Sequence, residues 1–299
     1  MGSSQTTPAT GAPVGVPLAL CAVVVAMVSV QGGAAMGKQL FPAIGPEGAT
    51  ALRLLFASII LWMVWRPWRH WPTRAAWPSL LVYGVALGGM NLTFYMSLSR
   101  IPLGVAVALE FTGPLLLAVA TSRRPRDFLY AGMAIAGVIL LLPIHAMAAH
   151  LDLLGVAYAL IAGVFWAVYI LFGKRSSSAA PGGSVAAIGM LVAMLVAFPA
   201  GVAQAGTALL SPALLPVAIG VAILSSAIPY SLEMIALKRL PAQTFSILMS
   251  GEPAMGAIFG LLVLQEHLSA NQWVAIALIV TASVGTSLSA AREHAAPGS

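Results

Sequence analysis

Apolar stretches of membrane-spanning length fill most of this chain, and short polar segments separate them. Windows of about 20 residues, the length of helix that crosses the hydrocarbon core of a bilayer, predict ten spans. The second is the shortest because Arg53 and Arg66 limit its apolar run. The pattern predicts an all-α polytopic membrane protein with ten transmembrane helices. These begin near Val16, Ala49, Trp77, Ile101, Phe128, Leu153, Ser184, Ala213, Leu240 and Gln272.

The composition excludes a water-soluble globular protein. Hydrophobic residues make up 60% of the 299 residues and charged residues only 7%, which leaves too little polar surface for a soluble fold. The single cysteine, Cys21, rules out a disulfide within the chain. The formal charge of +6 comes from basic residues in short loops between spans, where topogenesis requires them. We therefore expect a lipid bilayer as partner and no nucleic acid.

The basic residues are divided unequally between the two predicted faces of the membrane. Eleven of the 14 lysines and arginines fall on one face, and only Lys38, Arg53 and Arg100 belong to the other. Because basic loops stay in the cytoplasm, both termini are predicted to be cytoplasmic. The eleven are Arg66, Arg69, Arg74, Arg123, Arg124, Arg126, Lys174, Arg175, Lys238, Arg239 and Arg292.

The chain contains an internal repeat. Leu-Ser-Arg-Ile-Pro at residues 98–102 matches Leu-Lys-Arg-Leu-Pro at 237–241, and the same register pairs Pro114 with Pro253. Each half holds five spans, an odd number, so equivalent loops fall on opposite membrane faces. Secondary transporters recurrently use such inverted repeats to move a midplane site from one face to the other. Gene duplication for packing alone is the alternative interpretation.

The repeat also defines the domain organisation. The predicted units are a flexible cytoplasmic segment at 1–15, a first five-helix repeat at 16–148, a second at 149–290 and a cytoplasmic tail at 291–299.

Two carboxylates accompany proline inside apolar stretches. Glu110 precedes Thr112, Gly113 and Pro114, and a second break places Glu252 directly before Pro253. Acids and irregular backbone at bilayer depth are functional-site hypotheses by default. Pro114 predicts a bent fourth span, because proline frees a carbonyl one turn earlier. Glu252 and Pro253 resemble the start of a half-helix, so Glu252 either shapes this break or carries protons.

Glu110 is the first candidate for a proton carrier. Burial raises the pKa of a carboxyl group and a nearby ammonium lowers it, so one glutamate can exchange a proton for the amino group of a substrate. The alternative is a protonated glutamate that hydrogen-bonds a neighbouring helix and holds the bundle together.

The eighth predicted span offers a competing acid. Ser226, Tyr230 and Glu233 recur at i, i+4 and i+7 and form one polar stripe. Glu233 is equally consistent with the proton carrier and with a helix end that reaches the cytoplasmic interface.

A zwitterionic substrate also needs a partner for its carboxylate. Half-helix N-termini at Pro114 or Pro253 would supply free N–H groups. Arg53 can clamp a carboxylate bidentately, or it anchors the outer interface. Asn91 and Tyr95, at i and i+4 on the third span, either bind a substrate hydroxyl or pack between helices.

Other motifs carry no function here. Residues 32–38 nearly spell a phosphate-binding loop, but Gln39 replaces Ser/Thr and an apolar span precedes it, so the glycines are interpreted as close helix contacts. His145 and His150 have no cysteine partner, which argues against a metal site. No catalytic constellation lies within the spans, so we expect neither an enzyme nor a cofactor.

Many segments resemble one transporter family in the same order. The resemblance is to the drug/metabolite transporter superfamily, in its ten-helix EamA type with two five-helix repeats, and within it to bacterial inner-membrane exporters of threonine and homoserine. It covers nearly the whole chain. The matching segments are residues 29–34, 50–54, 83–85, 87–91, 102–115, 122–125, 228–237 and 249–254.

The resemblance implies efflux of small amino acids, threonine and homoserine first, driven by the proton gradient across the bacterial inner membrane. The first matching segment adds Gln31 to the residues expected to bind substrate or protons. Aromatic amino acids or drug-like metabolites are the alternative cargo. A passive amino-acid channel is the alternative mechanism, and oligomeric state is left open.

Overall fold

The computed structural model describes residues 15–69, 71–121, 125–141, 152–177, 182–229, 232 and 248–295. Regular structure in these ranges is helical, without strands, so the all-α prediction is confirmed for them. We number their α-helices in chain order. They are α1 Gly15–Lys38, α2 Phe41–Trp65, α3 Trp77–Leu98, α4 Leu103–Thr121, α5 Pro125–Leu141, α6 Leu153–Ser177, α7 Gly182–Ala205, α8 Leu215–Ala222, α9 Glu252–Val263 and α10 Ala270–Ala295.

Apolar helices occupy the positions of the predicted spans wherever the chain is described. Five are long and apolar enough to cross a membrane, and five more are apolar but shorter. The predicted start near Leu240 lies outside the described residues, as do residues 1–14 and 296–299. The long segments are Leu18–Lys38, Phe41–Trp65, Arg74–Leu98, Leu153–Ser176 and Gly183–Leu210.

The second helix begins earlier than its hydropathy predicts. It starts at Phe41 instead of near Ala49, and it passes through a kink at Gly45, where φ is +66°. Pro46 disfavours α-helical backbone at the residue before it, and glycine tolerates positive φ at little cost. The N–H of Glu47 at the kink donates to Oε1 of Gln204, 3.1 Å away. A polar side chain from another helix thus accepts a backbone N–H at the kink, and the helix begins before it.

The two halves of the chain pack into each other. Helix α2 packs on α7, α3 on α6, α4 on α6 and α9, and α5 on α10, while α1 contacts α8 and α9. Each of these contacts joins a helix from residues 15–141 to one from residues 152–295. Polar groups from both halves can therefore meet in the interior.

Apolar side chains divide between a packed interior and an apolar exterior. The largest buried cluster includes Tyr95 and the run from Val105 to Leu109, with Ile276 and Ile279 from α10. Phe128 of α5 remains exposed, as do many other large apolar residues. Apolar patches of this extent mark contact with a membrane or a partner. Because several of the helices are long and apolar enough to cross a membrane, we interpret this exterior as the surface that contacts lipid.

Candidate functional site

Arg53 lies inside the helix bundle, halfway along α2. Only 8% of its surface is exposed, so its side chain packs between helices. One guanidinium nitrogen, Nη2, donates to Oδ1 of Asn91. The guanidinium carbon lies 4.9 Å from the centre of the Tyr95 ring, within range of a cation–π interaction. Two α3 residues thus hold a buried cation in place.

Asn91 has the role of positioning Arg53. Its Nδ2 donates to the carbonyl oxygen of Leu87, 2.7 Å away, and this contact turns its Oδ1 toward the arginine. The Nε of Arg53 and the hydroxyl of Tyr95 are buried and have no hydrogen-bond partner. Because unpaired buried polar atoms are costly, these two atoms are well suited to receive a ligand.

Glu110 is a buried acid on α4. It is 7% exposed, and its carboxyl group interacts electrostatically with Glu252 and with Arg53. A cation and two carboxylates from three helices therefore share the interior. Opposite charges in one buried site match the two charges of a zwitterionic amino acid.

The crossing of α4 and α9 explains why Glu110 and Glu252 are close. Gly104 packs on Ala257 and Val107 on Gly256, each so tightly that a Cβ on the glycine would come within 2.5–3.0 Å of its neighbour. The sequence numbers rise on one helix as they fall on the other, so the helices are antiparallel. One more turn brings Glu110 level with the start of α9.

The prediction that a half-helix begins at the break of Gly113 and Pro114 is wrong. Helix α4 runs without interruption from Leu103 to Thr121, so no half-helix N-terminus exists at Pro114. Proline still removes the hydrogen bond to the Glu110 carbonyl oxygen. That oxygen faces α6, where a Cβ on Gly163 would lie 2.6 Å from it. Helix α4 is therefore continuous at Pro114 and packs closely on α6 there.

Glu252 and Pro253 begin a helix. Helix α9 starts at Glu252 with Pro253 in its first turn and Gly251 as the preceding residue. Both are buried, Glu252 at 6% exposure. A helix N-terminus with its partial positive charge therefore opens inside the protein, next to Glu110.

Gln31 on α1 and Ser226, just beyond the end of α8, are two further polar candidates. Both are buried, and Oε1 of Gln31 and Oγ of Ser226 lack hydrogen-bond partners. Oε1 of Gln31 lies 3.4 Å from the position that a Cβ on Gly256 would take, one turn along α9 from Glu252. Gln31 therefore borders the carboxylates at the α4–α9 crossing.

Ser226 occupies a π-helical turn, Ile223–Ala227, that continues α8. Such turns are frequent at functional sites. Helix α1 packs directly on it: the hydroxyl of Ser29 donates to the carbonyl oxygen of Leu224 at 2.6 Å, and a side chain on Gly33 would strike Ser225. The prediction that glycines in residues 32–38 allow close helix contact is confirmed.

The hydroxyl of Thr112 makes a hydrogen bond within its own helix. It donates to the carbonyl oxygen of Leu109, 2.6 Å away within α4, which satisfies its own helix. Tyr230 and Glu233 lie outside the described residues, so their roles stay predictions. Ser97 has a buried hydroxyl without a partner that sequence reasoning missed, because a lone serine near a span end carries no signal.

The described residues offer no metal centre. They contain no group of three or more His, Cys, Asp or Glu side chains able to hold a metal ion.

Comparison with known proteins identifies the family. A sequence model of the EamA-like transporter family matches residues 17–143 and, separately, residues 153–288. The chain belongs to the EamA-like transporter family. It is therefore a multi-pass membrane transporter and not an enzyme.

Among EamA-like proteins, several named exporters are similar to this chain. The threonine/homoserine exporter RhtA of Escherichia coli (strain K12) is 48% identical over 281 residues, 94% of each chain. RhtA of Salmonella typhimurium (strain LT2) is 47% identical over the same share. The uncharacterized transporter YwfM of Bacillus subtilis (strain 168) is 24% identical over 80% of this chain and 84% of its own.

The fold also has a counterpart among solved structures. One crystal structure superposes with a TM-score of 0.59 over 93% of this chain and 99% of its own, at 19% identity. At that identity the likeness shows a shared fold alone.

Proposed function

We propose that this chain exports small amino acids, threonine and homoserine first, by exchanging them for protons across the bacterial inner membrane. The observation that carries the proposal is the burial of Arg53, Glu110 and Glu252 inside the helix bundle, where Glu110 interacts electrostatically with both of the others. Membrane interiors rarely contain charged groups, and those present mark substrate and proton pathways. The relatives named threonine/homoserine exporters, 48% identical over 94% of the chain, support this cargo.

The charges suggest how each end of the amino acid binds. The substrate carboxylate takes the free donors of Arg53, since guanidinium binds carboxylates in a bidentate fashion. The ammonium takes Glu110. A proton neutralises the same carboxylate, so proton and substrate exclude each other, and this exclusion is the minimal requirement for antiport.

Hydroxyl-bearing cargo fits the unpaired polar atoms of the site. Oε1 of Gln31 accepts a hydrogen bond, and the hydroxyl of Tyr95 both donates and accepts. Both lack partners in the interior. A site with unpaired buried polar atoms discriminates strongly against analogues that lack the matching hydroxyl. Threonine and homoserine carry that hydroxyl, whereas 2-aminobutyrate does not.

The proposed architecture is ten transmembrane helices in two inverted five-helix repeats, with both termini in the cytoplasm. Its support is threefold: the family matches two separate halves, helices pair across those halves, and basic residues concentrate on one face. Alternating access then exchanges the conformations of the halves around a fixed site.

Purified protein in liposomes tests the function. Under an imposed pH gradient, threonine and homoserine should move against their own gradients, while 2-aminobutyrate and phenylalanine should move at least about tenfold more slowly. Fast movement of phenylalanine would indicate that aromatic amino acids are the cargo. Flux that ignores the pH gradient would indicate a passive channel.

A further inference from the structure

One ion pair connects the end of α1 to the start of α4 through the segment between α9 and α10. The Nζ of Lys38, the last residue of α1, lies 2.5 Å from Oε1 of Glu266 in the segment between α9 and α10. The other carboxylate oxygen, Oε2, accepts the N–H of Leu103, the first residue of α4, at 2.7 Å. Glu266 therefore links α1 to α4 and leaves neither carboxylate oxygen unused.

The local backbone is built to hold this carboxylate. Gln265 has a left-handed backbone, with φ at 55°, and the N–H of Glu266 returns to the carbonyl oxygen of Gly260 at 2.9 Å. A Cβ on Gly260 would lie 2.7 Å from Oε2 of Glu266, so any larger residue would displace the carboxylate. The ion pair is part of the fold and is partly buried, with the side chain of Glu266 only 14% exposed.

Helical spacing places this linkage directly over the site. Lys38 follows Gln31 by seven residues on α1, and Leu103 precedes Glu110 by seven on α4. Seven residues are two helical turns, about 10.5 Å, and return to the same face. The linkage and the site therefore lie along one line between the same helices.

On the basis of the alternating access proposed above, we propose that Lys38, Glu266 and the N–H of Leu103 form the gate at this end of the transport path. The gate is closed in this structure. It must separate in each cycle so that the amino acid can leave the site on this side, and it re-forms when the site turns to the other face.

A second ion pair provides a matched control. Arg100 Nη1 and Asp152 Oδ2 lie 2.7 Å apart and join the turn before α4 to the start of α6. Both side chains are about 40% exposed. Because neither belongs to α1 or α9, removal of this pair should leave the gate intact.

Cysteine labelling tests the gate without reference to cargo. Cys21 is the only cysteine, so a Cys21→Ala background needs one substitution. Ala35 is fully buried and lies on α1 between Lys38 and Gln31, so Ala35→Cys reports access to the path. A membrane-impermeant maleimide is added from the side on which Lys38 lies.

Lys38→Gln and Glu266→Gln should each speed labelling at least about fivefold, as expected for loss of a charged hydrogen bond. Arg100→Gln should not. The exchange of Lys38→Glu with Glu266→Lys should restore slow labelling only in part, because lysine cannot accept the N–H of Leu103. Equal labelling rates in the reference protein and Lys38→Gln would overturn the gate.

Threonine flux in the otherwise native chain gives a second readout. Lys38→Gln should reduce proton-driven flux at least about fivefold, and Arg100→Gln should preserve it. Unchanged flux in Lys38→Gln would also contradict the gate. If wild type moves no threonine while labelling still responds to Lys38→Gln, then the cargo assignment fails and the gate stands.

Discussion

Alanine at Gly113 should force α4 away from α6 and lower the stability of the protein. A Cβ at Gly113 would overlap the carbonyl oxygen of Gly163, and a Cβ at Gly163 would lie 2.6 Å from the carbonyl oxygen of Glu110. Ordinary contacts between heavy atoms need roughly 3.5 Å, so the helices must part by about 1 Å in Gly163→Ala and by more in Gly113→Ala. Overpacking of this kind costs about 1–3 kcal/mol. We expect Gly113→Ala and Gly163→Ala to unfold at lower temperature in detergent than wild type.

Gly132 on α5 is the matched control. A Cβ there meets nothing within 4 Å, so Gly132→Ala should raise stability by about 0.5–1 kcal/mol through helix propensity alone. The measurement is thermal unfolding of the three variants beside wild type. Gly113→Ala unfolding at or above the wild-type temperature would refute the close contact of α4 with α6.

Three further variants probe single contacts. Arg53→Lys keeps the charge but loses the bidentate guanidinium, so threonine binding measured by calorimetry should weaken at least about tenfold. Unchanged affinity would contradict the proposal that Arg53 binds the substrate carboxylate. Gln204→Ala removes the acceptor of the Glu47 N–H and should cost about 0.5–1.5 kcal/mol in thermal unfolding, unless water takes its place. The side-chain hydrogen bond from Arg100, then the N–H of Leu154, lowers the pKa of Asp152 from its ordinary value. The stabilisation that the ionised Asp152 gives to the fold is therefore fully present at neutral pH and is lost as the pH falls through that lowered pKa. Asp152→Asn should lower the unfolding temperature at pH 7 and have little effect in acid, and equal losses at both pH values would contradict this.

Hydropathy and charge predicted where the helices lie because each span must satisfy the bilayer by itself. The start of α2 was missed for a physical reason. Gly45 and Pro46 interrupt the apolar run, but Gln204, some 160 residues later, supplies the acceptor that the kink needs. No local window contains that partner.

The burial of the candidate site residues could be predicted for the acids but not for the arginine. Buried acids at Glu110 and Glu252 follow from their apolar surroundings. The burial of Arg53 could not be predicted, because an arginine in an apolar span either extends to the interface or pairs with a polar group. Its partner, Asn91, lies on another helix. The pairing of Lys38 with Glu266 was not predicted, since it joins opposite ends of the chain.

The behaviour of Glu110→Gln in liposomes tests the central claim most directly. The variant keeps the size of the side chain but is permanently neutral, so it can neither bind the substrate ammonium by charge nor exchange a proton. It should fold like wild type and lose threonine transport driven by an imposed pH gradient. Wild type measured in parallel should show that transport. Proton-driven threonine transport at the wild-type rate by Glu110→Gln would contradict the account and transfer the proton site to Glu233.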